Sequence, residues 1–440
     1  MVRLSQCMIV KNEENNIERA LTWAKLIAHE QIVVDTGSTD RTVEIAEKMG
    51  AKVYHFEWIN DFSAAKNYAI EQATGNWIAF LDADEYFSAE DASKLIEKLK
   101  NIEENSKSFK RITILQTQII QLNDDNEATS IDKQNRIFRN NGDLRFIGRI
   151  HEQITGHGDI VFIDDIEIIH TGYAETEYRT KNKASRNTEM LRAELATKPN
   201  DMTTKAYLAN SLDSQNVLNG YKSPADIAEV DMLYGEVLEC YDSENIPAFL
   251  KVKAYKHFLK KVLNDPEKYS QCEELCKKAY NEFPETLDFC YYYAGMLNIT
   301  GDYKKAWEIL KKAEQIILGS KVNSNKHGFV AGSSAEYESD PKAIYSQLLL
   351  AAQGLGDAEN TLKYAALFLK SDKTNQDVLR PYIKALINSG KPMDEVLELL
   401  SGIYNIGAPS DLLLIAKAAT ACGATDFANI VIAIAQELMG

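Results

Sequence analysis

Over the first hundred residues, short apolar runs alternate with stretches of helical spacing. Ser5 to Val10, Gln31 to Val34, Lys52 to Tyr54 and Asn76 to Leu81 read as buried strands. Between the first two, apolar residues at Ile17, Ala20, Leu21, Ala24 and Ile27 predict a helix over Glu14 to Ile27. Val43, Ile45, Ala46 and Met49 predict another, with Ser38 or Thr39 as its N-cap and Gly50 at its close. Helices also follow over Phe62 to Gln72 and Ala89 to Leu99. Strict alternation of strand and helix means βαβ units and a parallel sheet covered on both faces. After Lys110 the pattern changes. Arg111 to Leu122, Arg136 to Phe138 and Ile160 to Ile169 read as strands, with the polar run Asn123 to Asp132 as a loop. Hairpin-like strands added to a parallel sheet make it mixed.

From Lys181 onward the pattern is nearly all helical. Cys290 to Ala313 carries small and aromatic residues at tetratricopeptide spacing: Ala294, Gly295, Gly301, Tyr303, Ala306, Leu310 and Ala313. A second copy starts at Tyr345 and turns at Gly356-Asp357-Ala358. Weaker copies surround Pro199 to Leu212 and Phe283-Pro284, and Asp411 to Leu438 forms two more helices. The loops Gly220 to Ala225 and Gly319 to Pro341 interrupt the period. Small residues let paired helices pack closely, and stacked pairs bury a continuous core. The fold class expected is an α/β domain over residues 1–178 followed by an all-α helical-repeat domain over 179–440, with the boundary near Tyr178.

Composition supports this division and narrows the partners. A chain of 440 residues, 45% hydrophobic and 26% charged, is globular and long enough for more than one core. A net charge of −16 argues against nucleic acid or anionic lipid as general partners. No apolar run reaches transmembrane length, and the start, Met1 to Asn12, reads as a strand rather than a signal peptide. The six cysteines match no zinc ribbon and no disulfide framework, which implies free thiols in a reducing cytoplasm. Cys272 and Cys276 fall one helical turn apart.

Four N-terminal segments carry the candidate chemistry: Cys7 to Glu13, Ile32 to Asp40, Trp58 to Asn67, and Asp82-Ala83-Asp84. Three follow strands and the other opens a helix. In a parallel sheet the strand ends gather at one edge, where open α/β sheets bind ligands. Asp82 and Asp84 continue an apolar strand, so alternate positions would give them one face. Paired hard oxygens suit Mg²⁺ or Mn²⁺, ions that commonly carry substrate phosphates. The plainer reading is two exposed acids ahead of the next helix. Asp35 can accept hydrogen bonds from a ribose or base, or serve as a turn residue. Gly37 and Ser38 allow close backbone approach. Asp61 and Lys66, near the start of one helix, can fix a base or phosphate, with an N-cap as the plain role for Asp61. No Gly-x-x-x-x-Gly-Lys-Ser/Thr, Gly-x-Gly-x-x-Gly or nucleophile-elbow motif occurs.

Taken together, Val10-Lys11-Asn12-Glu13, Asp35-Thr36-Gly37-Ser38-Thr39-Asp40, Asn60-Asp61-Phe62-Ser63 and Asp82-Ala83-Asp84 resemble the motifs of family-two glycosyltransferases of GT-A fold. The resemblance covers roughly Leu4 to Tyr173. Its branch, with a tetratricopeptide C-terminal half, includes sublancin-type peptide S-glycosyltransferases and related bacterial protein glycosyltransferases. The resemblance implies that Asp35 contacts the nucleotide and that Asp82 and Asp84 hold the ribose and the metal-bound diphosphate. Position 66 is usually Arg in that family. Lys66 keeps the charge and loses the bidentate fork.

Two later motifs fit the same resemblance. Arg136-Ile137-Phe138-Arg139 precedes Gly148-Arg149-Ile150-His151-Glu152, much as an Arg-rich strand precedes Gly-x-x-His-Glu in the family. Glu152 is then the candidate base for an acceptor hydroxyl or thiol, with His151 as the alternative. The plainer reading pairs Glu152 with Arg149 or Arg145. His170, ending an apolar strand, matches the C-terminal His that GT-A enzymes often supply to the metal. Arg139 and Arg149 can balance diphosphate charge. The implied function is inverting, metal-dependent transfer from a nucleoside diphospho-sugar, by family preference UDP-linked, to a protein or peptide acceptor. The helical half would dock that acceptor or form a homodimer contact. Extension of a lipid-linked or surface oligosaccharide is the alternative within enzymes. A non-catalytic tetratricopeptide adaptor is the alternative outside them.

Overall fold

The computed structural model describes residues 1–105, 109, 111–123, 125–171, 183–218, 220, 223–240, 246–262, 266–323 and 342–439. They divide into two compact units, Met1–Ala254 and Tyr255–Ser324 with Ala335–Gly440. The expected boundary at Tyr178 lies outside the described residues, as does most of the loop Gly319 to Pro341. Strands give way to helices between His170 and Lys183.

The first unit is built on one eight-stranded mixed sheet. Its strands are β1 (Leu4–Val10), β2 (Glu30–Asp35), β3 (Lys52–His55), β4 (Trp77–Phe80), β5 (Glu85–Phe87), β6 (Ile112–Leu122), β7 (Ala128–Arg139) and β10 (Asp159–His170). A small hairpin of β8 (Arg145–Ile147) and β9 (Gln153–Thr155) stands apart. The order across the sheet is β3-β2-β1-β4-β7-β6-β10-β5. The first four strands in that order are parallel. β7 runs against β4, β6 against β7, and β10 with β6. Two reversals return β6 and β10 to the direction of β4. The C-terminal end of β10, His170, therefore reaches the same sheet edge as the ends of β1, β2 and β4.

Helices α1 (Ile17–Thr22), α2 (Thr42–Lys48), α3 (Phe62–Gln72) and α4 (Ala89–Glu104) cover the sheet. Their apolar faces pack on β-branched and aromatic strand residues in cores around Trp77, Leu95 and Ile168, around Ile78, Phe80 and Phe138, and around Met8, Ile17 and Val33. α3 spans the expected residues, whereas α1 is far shorter than Glu14 to Ile27. The chain must turn back beside β1, where the His29 N–H donates to the Leu4 carbonyl at 2.8 Å. Ala24 stays buried through that turn, so the apolar spacing persists without the helix. The expected loop Asn123 to Asp132 is half strand. β7 begins at Ala128 because β6 offers it a full ladder, Ile119 opposite Asp132 and Ile120 opposite Ile131. Backbone pairing there outweighs polar side chains that remain in water. Neither Ser38 nor Thr39 caps α2, whose N-cap is Arg41.

Glu30 ties the start of β2 to the turn before β4. One carboxylate oxygen accepts from Ser5 Oγ at 2.7 Å, Thr74 N at 2.6 Å and Thr74 Oγ1 at 2.8 Å. The other meets Lys52 Nζ at 2.8 Å. Burial would raise this carboxyl, but Lys52, the Thr74 amide and the two hydroxyls bring it down to about 2. A depressed carboxylate stabilises the fold above its unfolded pKa and loses that contribution as pH falls through the folded one. Glu30→Ala is expected to cost about 2 kcal/mol in urea unfolding at pH 7, because it leaves the buried Ser5 hydroxyl without its acceptor and removes the Thr74 and Lys52 contacts. The difference from the parent should shrink between about pH 4.5 and 2. A cost below about 0.5 kcal/mol at pH 7 would show that the network is solvated.

Helices α5 (Lys183–Thr197), α6 (Met202–Leu218) and α7 (Pro224–Glu239) lie in the first unit, and α8 spans Ala248–Val262. The second unit continues through α9 (Tyr269–Glu282), α10 (Leu287–Thr300), α11 (Tyr303–Asn323), α12 (Lys342–Gly354), α13 (Ala358–Ser371), α14 (Gln376–Asn388), α15 (Met393–Ser401), α16 (Pro409–Ala421) and α17 (Thr425–Glu437). The two expected copies form the hairpins α10–α11 and α12–α13. Gly301 and Gly356 follow their first helices with φ of 85° and 69°, a left-handed turn that glycine adopts without strain. Cys272 and Cys276 share α9, buried, with sulfurs 3.9 Å apart. All six cysteines are free.

Candidate active site

The strand-end loops of β1 and β2 are joined by hydrogen bonds. Asn12 N donates to Ser38 Oγ at 2.9 Å, and Thr39 N returns to Asn12 Oδ1 at 2.8 Å. Glu13 N donates to Thr42 Oγ1 at 2.7 Å. Asn12 itself has φ of 57°, a left-handed conformation that asparagine tolerates. Asp35, buried at the end of β2, accepts from the amides of Gly37 and Ser38, each at 3.1 Å. Those two amides are thereby spent on Asp35, which leaves them unavailable to a phosphate. Asp61 Oδ1 accepts from Ala64 N at 2.9 Å, so Asp61 is the N-cap of α3.

Beyond β4 lies a chain of paired charges, with Lys66 buried and Asp82 38% exposed at its side chain. Lys66, on the inner face of α3, has its Nζ 2.6 Å from Glu152 Oε1 and 3.4 Å from Asp82 Oδ1. Arg136 Nη2 lies 2.9 Å from Asp82 Oδ2 and also pairs with Glu85. Glu85 accepts the Asp82 N–H at 3.0 Å. Burial would raise the Asp82 carboxyl, but Lys66 and then Arg136 hold it well below the usual carboxylate range. Burial likewise opposes the Lys66 ammonium, and Asp82 and Glu152 together lift its pKa above the ordinary lysine value. Both cations therefore stay charged at neutral pH.

Asp84 points elsewhere. Its Oδ2 lies 3.4 Å from His170 Nε2, and His170 Nδ1 meets Gln121 Oε1. Burial lowers the imidazole pKa, but the Asp84 hydrogen bond and charge more than offset it, leaving it raised. The expectation that Asp82 and Asp84 share a strand face is corrected here. β4 ends at Phe80, and Asp82 to Glu85 form a turn closed by the Glu85 N–H on the Asp82 carbonyl at 3.0 Å. A turn breaks the alternation of a strand, so the two carboxylates take different partners. Asp82 is committed to Lys66 and Arg136, which argues against it as a metal ligand. Among the described residues, no three His, Cys, Asp or Glu side chains converge as a ready metal cage. Asp84 with His170 gives one carboxylate and one imidazole, a donor pair that fits a hard divalent ion when diphosphate and water supply the remaining oxygens.

Arg139 is not brought to this cluster. It stands opposite Trp77, at the start of β4, with its guanidinium 2.6 Å from Glu103 and 4.6 Å from the Trp77 ring. Three residues of strand, about 10 Å, separate it from Arg136. The arginine at the carboxylates is Arg136. β7 runs against β4, so its earlier residues lie nearest the carboxylate end. Glu85 was visible in the sequence beside the two aspartates but carried no expectation. Arg149 is exposed, and its carbonyl accepts from Phe62 N at 2.9 Å.

The segment with Glu152 is sewn to α3. Asn67 exchanges two 2.9 Å bonds with the Phe146 backbone, and Ser63 Oγ donates to the Gly148 carbonyl at 2.5 Å. This seam sets Glu152 on Lys66 rather than on Arg145 or Arg149. His151 has φ of 53°, and its ring stacks on Tyr207 of α6, with centroids 3.9 Å apart and planes 9° from parallel. Burial pushes the His151 pKa down to about 4, so the ring is neutral at pH 7. Arg186 of α5 lies 5.1 Å over the Phe62 ring. Tyr207→Ala should uncover the imidazole and move its pKa up toward 6.5, followed by NMR titration. An unchanged value near 4 would mean that other groups desolvate it.

Residues 5–147 match the family model for glycosyl transferase family 2. Residues 5–147 are therefore a glycosyl transferase family 2 domain. Among proteins similar to the chain is the SPbeta prophage-derived glycosyltransferase SunS of Bacillus subtilis, 34% identical over 198 residues, 42% of this chain and 44% of SunS. A TPR repeat-containing protein of Synechococcus elongatus is 34% identical over 234 residues, 50% of this chain and 54% of that protein. The chain thus aligns with about half the length of these relatives. The crystal structure of S. aureus TarS 1-349 aligns with 61% of this chain and 91% of its own, at 16% identity and a TM-score of 0.34.

Proposed function

We propose that the protein is an inverting, metal-dependent glycosyltransferase that moves a hexose from a UDP-sugar to a protein or peptide acceptor. The observation that carries this reading is the gathering of Glu152, Lys66, Asp82, Arg136, Asp84 and His170 at one sheet edge of a family-two domain. Asp84 and His170 would hold a Mg²⁺ or Mn²⁺ ion, which supplies positive charge to a departing diphosphate. Lys66 and Arg136 fix Asp82, whose remaining lone pairs can accept from a donor hydroxyl. Asp35 sits on the nucleotide side, where a carboxylate partly satisfied by backbone amides can still accept from a ribose or base. Glu152, held 2.6 Å from the Lys66 ammonium, takes the proton from the acceptor hydroxyl or thiol. Inversion and UDP rest on the family likeness. Among the described residues no helix is long and apolar enough to cross a membrane. The free cysteines fit a cytoplasmic setting.

Nucleoside diphosphate release from a panel of UDP-, GDP- and CDP-sugars, with Mn²⁺, Mg²⁺ or EDTA, tests the reading. Metal-dependent release from one donor is expected even without acceptor, through slow hydrolysis. Neither release nor nucleotide binding from any donor would sink it and leave the adaptor role.

A further inference from the structure

Glu152 lies in the tip of the β8–β9 hairpin, just before the strand pair of Ile147 with Gln153. Helix α3 holds the first half of this tip, through the Ser63 hydroxyl on the Gly148 carbonyl and the Phe62 amide on the Arg149 carbonyl. Among the described residues no backbone hydrogen bond holds Ile150, His151 or Glu152. The second half is held by side chains instead, Glu152 by Lys66 and His151 by Tyr207. Tyr207 comes from α6, where it packs with Ala206, Val237, Ile246 and Leu250. Its ring lies flat on the His151 imidazole, with centroids 3.9 Å apart. Burial raises the Tyr207 phenol pKa, and the Gln153 side chain, which reaches the hydroxyl, opposes that rise. One aromatic ring therefore grips the residues on both sides of Glu152. His151 also sits at φ of 53°, an uncommon conformation that persists only where the surroundings fix it.

We propose that Tyr207 is a positioning residue for sugar transfer, which fixes the hairpin tip through His151 and Gln153 and so aims the Glu152 carboxylate at the acceptor. Lys66 occupies Oε1 of that carboxylate at 2.6 Å, which leaves Oε2 to take the acceptor proton. The direction of Oε2 follows the backbone of residues 151–153. A loosened tip lets both oxygens turn to the Lys66 ammonium, away from the acceptor. A base displaced by about 1 Å can lose about 10²-fold in rate. Helix α6 thus completes the active site of the sheet domain without touching the reacting atoms. The proposal deepens the transferase reading and rests on Glu152 as its base.

Two measurements on the full-length protein test it. The first is hydrogen–deuterium exchange of the amides of residues 148–153, which needs no substrate. Tyr207→Leu keeps the bulk of the side chain and removes the stack, and exchange there should quicken by about tenfold. The second is UDP release from UDP-glucose with Mn²⁺, water standing as the acceptor. Tyr207→Leu should lower kcat by about tenfold or more and change the donor KM by less than about threefold. Tyr207→Phe, which keeps the stacked ring, should recover all but about threefold. Added to Glu152→Gln, Tyr207→Leu should cost less than about twofold more, because it acts through the base that is already gone. A role in folding alone would lower the thermal midpoint, leave kcat of the folded enzyme at the parent value and add to the Glu152→Gln loss. Unchanged exchange, an unchanged kcat in Tyr207→Leu, or additive losses would each overturn the proposal. The two readings fail differently. Unchanged exchange with a slow Glu152→Gln enzyme removes Tyr207 alone. Quickened exchange with a Glu152→Gln enzyme at full rate removes the base, and the positioning role falls with it.

Discussion

Glu152→Gln is expected to lower sugar transfer by about 10² to 10⁴-fold, the usual contribution of a positioned base. Nucleotide affinity should change by less than about threefold, because the donor side of the cluster is untouched. Glutamine preserves the shape and can still accept from the Lys66 ammonium, so the buried lysine keeps one contact here and Asp82 at 3.4 Å. The variant therefore separates proton transfer from folding. His151 is the rival base, and its pKa of about 4 makes it weakly basic at pH 7. If Glu152→Gln retains its rate while His151→Asn loses it, the roles exchange. The cause would then be that the Lys66 pair locks the Glu152 carboxylate away from the acceptor.

Asp84→Ala is expected to remove metal stimulation of nucleoside diphosphate release, a loss of about 10² to 10³-fold at saturating Mn²⁺. His170 alone is a poor site for a hard divalent ion, since one imidazole supplies no negative charge. The substitution also frees His170 from the carboxylate 3.4 Å away, so its raised pKa should fall. Asp82→Ala should act differently. It exposes the buried Lys66 and Arg136 to each other without their shared counter-charge, so its first effect is on stability. Release that is indifferent to both EDTA and Asp84→Ala would overturn the metal assignment. Charge on the diphosphate would then fall to Lys66 and Arg136.

Much of the sheet was legible because local pattern and tertiary burial agree there. Strands β2 and β4 hold continuous apolar runs, and helix α3 follows its capping aspartate. The expectations failed where a longer-range demand outweighed local pattern. α1 stops early so that the chain can enter β2 beside β1, and β7 extends into polar sequence because β6 needs a partner. At the site the residue types were visible, but their partners were not. Sequence spacing put Asp82 and Asp84 together, and a four-residue turn separated them. The helical contributions to the site, Tyr207 and Arg186, carried no local signal, since only folding brings them beside His151 and Phe62.

The sequence by itself determined the α/β start, the helical half and the loops that meet at one sheet edge, because hydrophobic period and strand direction follow from local order. Only the tertiary structure decided which charges lie beside one another. Glu152 belongs to Lys66, Arg136 replaces Arg139 beside Asp82, and Asp84 belongs to His170. Those pairings depend on strand reversal and on the seam between α3 and residues 146–149, which join positions some eighty residues apart. Electrostatic partnership is set by distances of a few ångströms, and no periodicity along a chain encodes such distances.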